Sequence, residues 1–440
     1  MRLPRFVALC VLSVAFLFVV VDAAQFERST PATFDERIDD NASTMLSDGR
    51  QIFRYDTFGS EAFWSGKLRL NQAIVGARFG GIGNGLTPAT ALAVGLKVDA
   101  AALSPNVIRA LQSGTLDVND VANTIALLNM DAVIGVKAIR TGNTITAVGI
   151  TCALCHSTVD DSIAPGIGRR RDGWPNRDLN VGAIMGIAPD LTVLDSHLGV
   201  SDATVRQVLA SWGPGRFDAA LLLDGKAFRP DGRTAATLLP AAFGLAGVNL
   251  HTYTGWGSVT HWNALVANLE MMGSGTFFDP RLDDATKFPL AARAGFGHTR
   301  KTPDLITSKL APLEYYQLSI PAPTPDPSTY NASAAARGQE LFNGSAKCST
   351  CHVPPLFTEP GWPMHTGSEI GIDDFQANRS PDGRYRTTPL KGLFTRSKGG
   401  FYHDGRFPTL RAVVDHYDQV LQLGLAELEK QDLVEYLKSL

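Results

Sequence analysis

Apolar residues recur at helical spacing in several separate stretches of this chain and alternate in one short region. Asp117-Val118-Asn119-Asp120 precedes an apolar-rich run to Val136, which predicts a capped helix. Gly142-Asn143 sits between Val136–Arg140 and Thr144–Ile150, both β-branched or apolar, which predicts a hairpin. Ser201–Ser211 reads as a short capped helix. Trp256 to Met272 reads as another, with Trp262, Leu265, Val266 and Leu269 at helical spacing. Ser333–Phe342, Thr409–Tyr417 and Leu425–Leu440 complete the set, the last with Leu433, Tyr436, Leu437 and Leu440 on its apolar side. The pattern predicts a mainly α protein.

Breaks in the pattern set the organisation. Met1 to about Ala24 has Arg2 and Arg5, the apolar run Phe6–Val21 and small residues at its end, the form of a signal peptide, 1–23. The run is short of the roughly 20 apolar residues that a span needs, and no later stretch is apolar enough, so no stable membrane span is expected after cleavage. Residues 25–48 are polar and read as an extended lead-in. Phe79 to Gly85 is a glycine-rich loop without the residues of a phosphate-binding motif. Pro321 to Ser328 carries four prolines in eight residues and reads as a linker. The expected domains are therefore 24–328 and 329–440.

Charge adds little: 40 basic and 43 acidic residues give a net −3, without blocks of one sign, and nothing suggests a nucleic-acid partner. Cysteines change the picture. Beyond Cys10 the chain has only Cys152, Cys155, Cys348 and Cys351, in Cys152-Ala153-Leu154-Cys155-His156 and Cys348-Ser349-Thr350-Cys351-His352. Cys-x-x-Cys-His is the attachment pattern of a c-type haem. Two thiols at this spacing reach the two vinyl groups on one porphyrin edge, and the adjacent histidine, His156 or His352, sits under the iron as proximal ligand. Two copies in an exported chain predict two covalently bound haem c groups, no disulfide, and a periplasmic or secreted location.

Gly49-Arg50-Gln51-Ile52-Phe53 recurs as Gly338-Gln339-Glu340-Leu341-Phe342, which resembles the opening helix of a cytochrome c domain. The first copy stands about a hundred residues before its haem motif, so the first of two cytochrome c-type domains is expected to be enlarged by insertions. Further on come Arg386-Thr387-Thr388-Pro389-Leu390, the turn Tyr402-His403-Asp404-Gly405, and the helix Thr409–Tyr417. With the two haem motifs, these resemble the dihaem cytochrome c peroxidase / MauG superfamily over roughly the last hundred residues. The long spacing between the motifs is also partly similar to the dihaem rubber oxygenases.

The resemblance implies an oxidoreductase whose N-terminal haem reacts with peroxide or dioxygen and whose C-terminal haem exchanges electrons with a small redox donor or acceptor. A non-enzymatic electron carrier and a rubber-oxygenase-like dioxygenase are the other readings. The family's distal ligand of the second haem falls on Tyr417, with His416 next door and Met364 as competitors. No histidine lies between His156 and His197, and the family's distal-histidine register falls near Asp172. The family's catalytic glutamate has no clear counterpart; Glu270 lies in a plausible region on an unassigned helix face. Trp262, Phe277 and Phe278 fall where the rubber oxygenases carry distal-pocket aromatics. Thr387 and Pro389, with Asn180, match positions associated with a structural calcium. Arg169-Arg170-Arg171 reads equally as a solvated loop or as a partner for haem propionates.

Overall fold

A computed structural model describes residues 33–440, of which 45–440 form one compact unit. The expected signal peptide and Cys10 lie outside the described residues. No helix among the described residues is long and apolar enough to cross a membrane.

The protein is mainly α, as expected. Helix α1 is Phe34–Tyr55, α2 is Val121–Asn129, and strands β1 (Val136–Thr141) and β2 (Thr144–Ile150) form the hairpin. The lead-in expected to be extended is instead the start of α1. Its first residues are all exposed, Phe34 and Ile38 included, so they bury no apolar stripe. Helix α2 begins where Asp120 accepts a bond from the Ala122 amide, and stops at Asn129, short of the expected run to Val136. The rest of that run is turn, and only its last residue, Val136, enters β1. The hairpin pairs antiparallel from Val136↔Ile150 to Thr141↔Thr144, with Gly142 at φ 61° in the turn.

Helix α3 is Asp202–Trp212, capped by Ser201. Helix α4, Val259–Leu265, is capped by Ser258 and continues as a π-helical stretch through Val266–Glu270. Strand β3 (Thr276–Phe278) pairs with β4 (His298–Arg300). Helix α5 is Leu310–Ser319, α6 Ala332–Asn343, α7 Leu410–Leu421 and α8 Glu427–Lys438. Sheets among the described residues are two-stranded.

The repeated Gly-x-x-x-Phe motif has a structural counterpart in two helix crossings. A Cβ on Gly49 would run into the Pro312 carbonyl and Tyr316 of α5; a Cβ on Gly338 would run into the Asp432 carbonyl and Tyr436 of α8. Only glycine allows backbones to approach so closely. One turn on, Phe53 and Phe342 are buried and meet Tyr316 and Tyr436 edge to face, at centroid distances of 5.6 and 5.2 Å. The same crossing therefore occurs once before the proline-rich stretch and once after it, each beside its own apolar core.

Candidate functional site

The first Cys-x-x-Cys-His motif comes directly after strand β2. The Thr151 amide bonds the Gly135 carbonyl at 3.0 Å, and residues Ala153–His156 make a single helical turn. Gly135 has φ 82°, and its missing Cβ leaves room for the Leu154 backbone. The turn opens into an apolar-walled cavity of about 310 Å³, lined by both thiols, His156, Trp64, Trp262 and Glu270 among others. Burial pushes the Cys152 and Cys155 thiols up to about 12 and His156 down to about 4.

The second motif is a short turn after Lys347, which has φ 54°. It opens into a separate apolar-walled cavity of about 260 Å³. Burial raises Cys348 to about 11 and lowers His352 to about 4. His352 Nδ1 lies 3.1 Å from the Phe357 carbonyl, which fixes the ring and leaves Nε2 as the other donor atom. Buried thiols with raised pKa values are poor nucleophiles, which argues against a thiol–disulfide centre of the Cys-x-x-Cys type. Neutral imidazoles suit iron. The residues of both cavities thus fit a thioether-linked haem.

Helix α7 places the expected ligand candidates apart. Tyr417 lines the second cavity beside Cys348 and Cys351. His416 turns away, with Nε2 2.8 Å from the Ile370 carbonyl and its ring on Phe407. Met364 is absent from this wall and packs by Gly255. Burial raises the Tyr417 phenol, and the neighbouring Tyr402 hydroxyl lowers it. His403 is buried in the same wall, stacked on Tyr385 at 5.3 Å, and burial lowers it to about 4.

Around the first cavity the expectations divide. Trp262 lines it. Phe277 and Phe278 do not, because strand alternation turns Phe277 into a core with Trp256 and Phe288 and leaves Phe278 64% exposed against His298. Glu270, unassigned from sequence, lies deep at the end of the π-helical stretch. Its Oε1 lacks a hydrogen-bond partner, and burial, then the nearby Asp218, raises it to about 8. Asp172 is structural: it accepts from Arg54, Ser157 and the Tyr316 hydroxyl at 2.6–2.7 Å.

The calcium set does not fit. The Thr387 carbonyl accepts the Thr358 hydroxyl, and the Pro389 carbonyl accepts the cationic Arg396 at 2.7 Å. Asn180 caps a helix through the Ala183 amide. A guanidinium on a carbonyl repels a second cation there. Nor do Arg169–Arg171 reach either cavity; Arg170 pairs with buried Asp99 at 2.9 Å and Arg171 covers Trp174. The arginines that do line the cavities are Arg177, Arg386 and Arg396. Sequence reading missed their role, although Arg386 opens the Arg-x-x-Pro-Leu segment.

Two apolar cavities, each opened by Cys-x-x-Cys-His, have the residues to hold a covalently attached haem. The chain is 31% identical over 122 residues to the methylamine utilization protein MauG of Methylorubrum extorquens. That match covers 24% of this chain, and the chain spans about a third (34%) of the relative's length. It supports the likeness to the dihaem cytochrome c peroxidase / MauG superfamily. Solved structures with similarity include a MauG-like protein associated with microbial copper homeostasis (17% identity, 52% of this chain and 78% of that chain, TM-score 0.32). Another is the hydrazine synthase of Kuenenia stuttgartiensis (16% identity, 50% and 86%, TM-score 0.26). No family model matches the chain.

Proposed function

We propose that this chain is an exported, periplasmic dihaem c-type cytochrome acting as an oxidoreductase. It has two haem domains, 24–328 and 329–440, and the first is enlarged by insertions. Cys152, Cys155 and His156 would hold one haem; Cys348, Cys351 and His352 would hold the other, with Tyr417 in the wall of that cavity as a further ligand. The observation that carries the reading is that each motif opens into its own apolar-walled cavity, with buried thiols and an uncharged histidine.

Bound haem would supply iron redox chemistry with peroxide or dioxygen at the first site and electron transfer at the second. Around it the protein acts by placement. Glu270, protonated up to about pH 8, holds a proton in the wall of the first cavity and can deliver it to a reacting oxygen there. Trp262 and Trp64 wall that cavity and exclude water. Tyr417 offers a phenolate oxygen to the second site, a hard donor that favours ferric iron.

The test is spectroscopy and turnover of the purified holoprotein. One high-spin and one low-spin ferric signal, with peroxide consumed at the expense of a small cytochrome donor, are expected. Two low-spin signals without reactivity would make it an electron carrier. Oxygen uptake only with an apolar substrate would favour the dioxygenase reading, which the apolar walls of the first cavity also suit.

A further inference from the structure

Arg177 comes together with Arg386 and Arg396, from a segment some two hundred residues later, beside the two cavities. Arg177, Arg386 and Arg396 all line the second cavity, and Arg386 also lines the first. A third cavity, of about 360 Å³, has Arg386 and Arg396 in its wall. Tyr253 lines all three cavities.

The partners of these cations are backbone carbonyls. Arg386 bonds the Thr252 and Leu250 carbonyls, both at 2.9 Å. Arg396 bonds the Pro389 and Lys391 carbonyls at 2.7 and 3.1 Å. Arg177 bonds the Lys398 carbonyl at 3.3 Å. Carbonyls orient a guanidinium without neutralising it. None of the three forms an ion pair with a carboxylate among the described residues. By contrast, Arg379 has Asp218 and Asp224, and Arg406 has Asp373 and Asp404. Adjacent Arg216 leans on the Asp404 carbonyl. Arg177 and Arg396 are 7% and 8% exposed, and the Nε of each has no hydrogen-bond partner. Burial, aggravated by Arg396, lowers Arg386 to about 10; burial, aggravated by Arg177, lowers Arg396 to about 10. Both remain charged at neutral pH. Buried charges left unpaired are costly, and proteins pair them.

We propose that Arg177, Arg386 and Arg396, with Tyr253 between them, form one carboxylate clamp shared by the two cavities, which receives the propionates of both bound porphyrins and couples their redox potentials through Arg386. The clamp rests on the dihaem reading above. Planar guanidinium forks match carboxylates in geometry as well as charge. A cation beside a propionate favours the reduced, less positive iron, so removing it lowers the potential.

The experiment is redox titration of both haems in the holoprotein and in Arg386→Gln, Arg396→Gln and Arg386→Lys, after counting covalent haems by mass. Arg386→Gln is expected to lower both potentials, each by roughly a tenfold change in the reduced-to-oxidised ratio, or about 59 mV for one electron. Arg396→Gln should lower the second potential alone, and Arg386→Lys should restore most of the loss. Both haems attached with unmoved potentials, or a shift at only one haem in Arg386→Gln, would overturn the shared clamp. A wild-type chain with no covalent haem would instead overturn the dihaem reading itself. If the glutamine variants do not fold, the propionate bending bands of the wild type in H₂O and D₂O decide. Hydrogen-bonded propionates at both haems respond to deuteration, and absence of a response at either one overturns the clamp.

Discussion

The two cavities share their entrance and differ in their far walls. Both begin at a Cys-x-x-Cys-His turn with raised thiols and an uncharged histidine. The first then meets Trp262 and a carboxyl group, Glu270, that burial keeps protonated. The second meets Tyr417, Tyr402, Tyr385 and His403. On the proposed reading the motif would secure the cofactor, and the opposing wall would decide what that cofactor is equipped to do. A protonated acid supplies protons to a reacting oxygen, whereas a buried phenol offers an electron-rich ligand. On that reading one attachment chemistry would be fitted for two roles.

The comparison breaks most completely if the two sites prove interdependent. Cys155→Ala is expected to abolish covalent haem at the first site and leave the second intact, and Cys351→Ala the reverse. Haem stoichiometry by mass, before and after acid–acetone extraction, reads both. Loss of both haems from either variant would show that the cavities are not separate sites.

The next largest effect is at Glu270. Glu270→Gln should slow peroxide consumption about 10²–10⁴-fold, the usual contribution of a positioned acid, and leave second-site spectra unchanged. In the wild type, turnover should fall as pH rises through about 8. Stability tracks the same group. Its folded pKa lies above the ordinary carboxyl value of 4.5, so the folded state holds the extra proton between those values. Stability is therefore fully present below about 4.5 and is lost as pH rises towards 8. Denaturant titration should show this slope in the wild type and lose it in Glu270→Gln.

Glu270 also marks where sequence reading reached its limit. Local features were legible: the hairpin around Gly142, the caps at Asp120 and Ser201, both haem motifs, and α6 to α8. Each depends on residues within a few positions of one another. The face of Glu270 was not legible, because the helix widens to π geometry at Val266–Glu270 and a 3.6-residue period then places its last residues on the wrong side. Phe277 and Phe278 were grouped as aromatics although a strand must send neighbours to opposite faces. The carboxylate clamp was invisible, since Arg177, Arg386 and Arg396 meet only in the folded chain.

The wall of the second cavity sharpens at α7. About 100° of helix separates His416 from Tyr417, and that turn puts one on a backbone carbonyl and the other in the cavity. Tyr417→Phe is expected to change the second haem's spin state and raise its potential. His416→Ala should preserve the low-spin signal. The opposite outcome would make the second site a bis-histidine centre and remove the phenolate from its ligand chemistry.

The smallest effect expected is at Tyr402. Tyr402 adopts φ 68°, an uncommon conformation outside glycine, and its hydroxyl has no partner of good geometry. That hydroxyl lies beside the Tyr417 phenol and lowers its pKa, while burial raises it. A hydrogen bond to a charged oxygen is worth about 1.5–3 kcal/mol, and one pKa unit corresponds to about 1.4 kcal/mol. Tyr402→Phe should therefore raise the pH at which Tyr417 binds as phenolate by on the order of one unit. The sign comes from the charged form: without the donor the phenolate is less stable, so acidification displaces it sooner. Absorbance titration of the oxidised holoprotein reads this at the second haem, with the first as internal control. A midpoint that stays in place would mean that Tyr402 merely fills space, and a shift at both haems would mean that the substitution acts through the fold. A shift confined to the second haem would trace its distinct chemistry to a pair of phenols that the first cavity lacks.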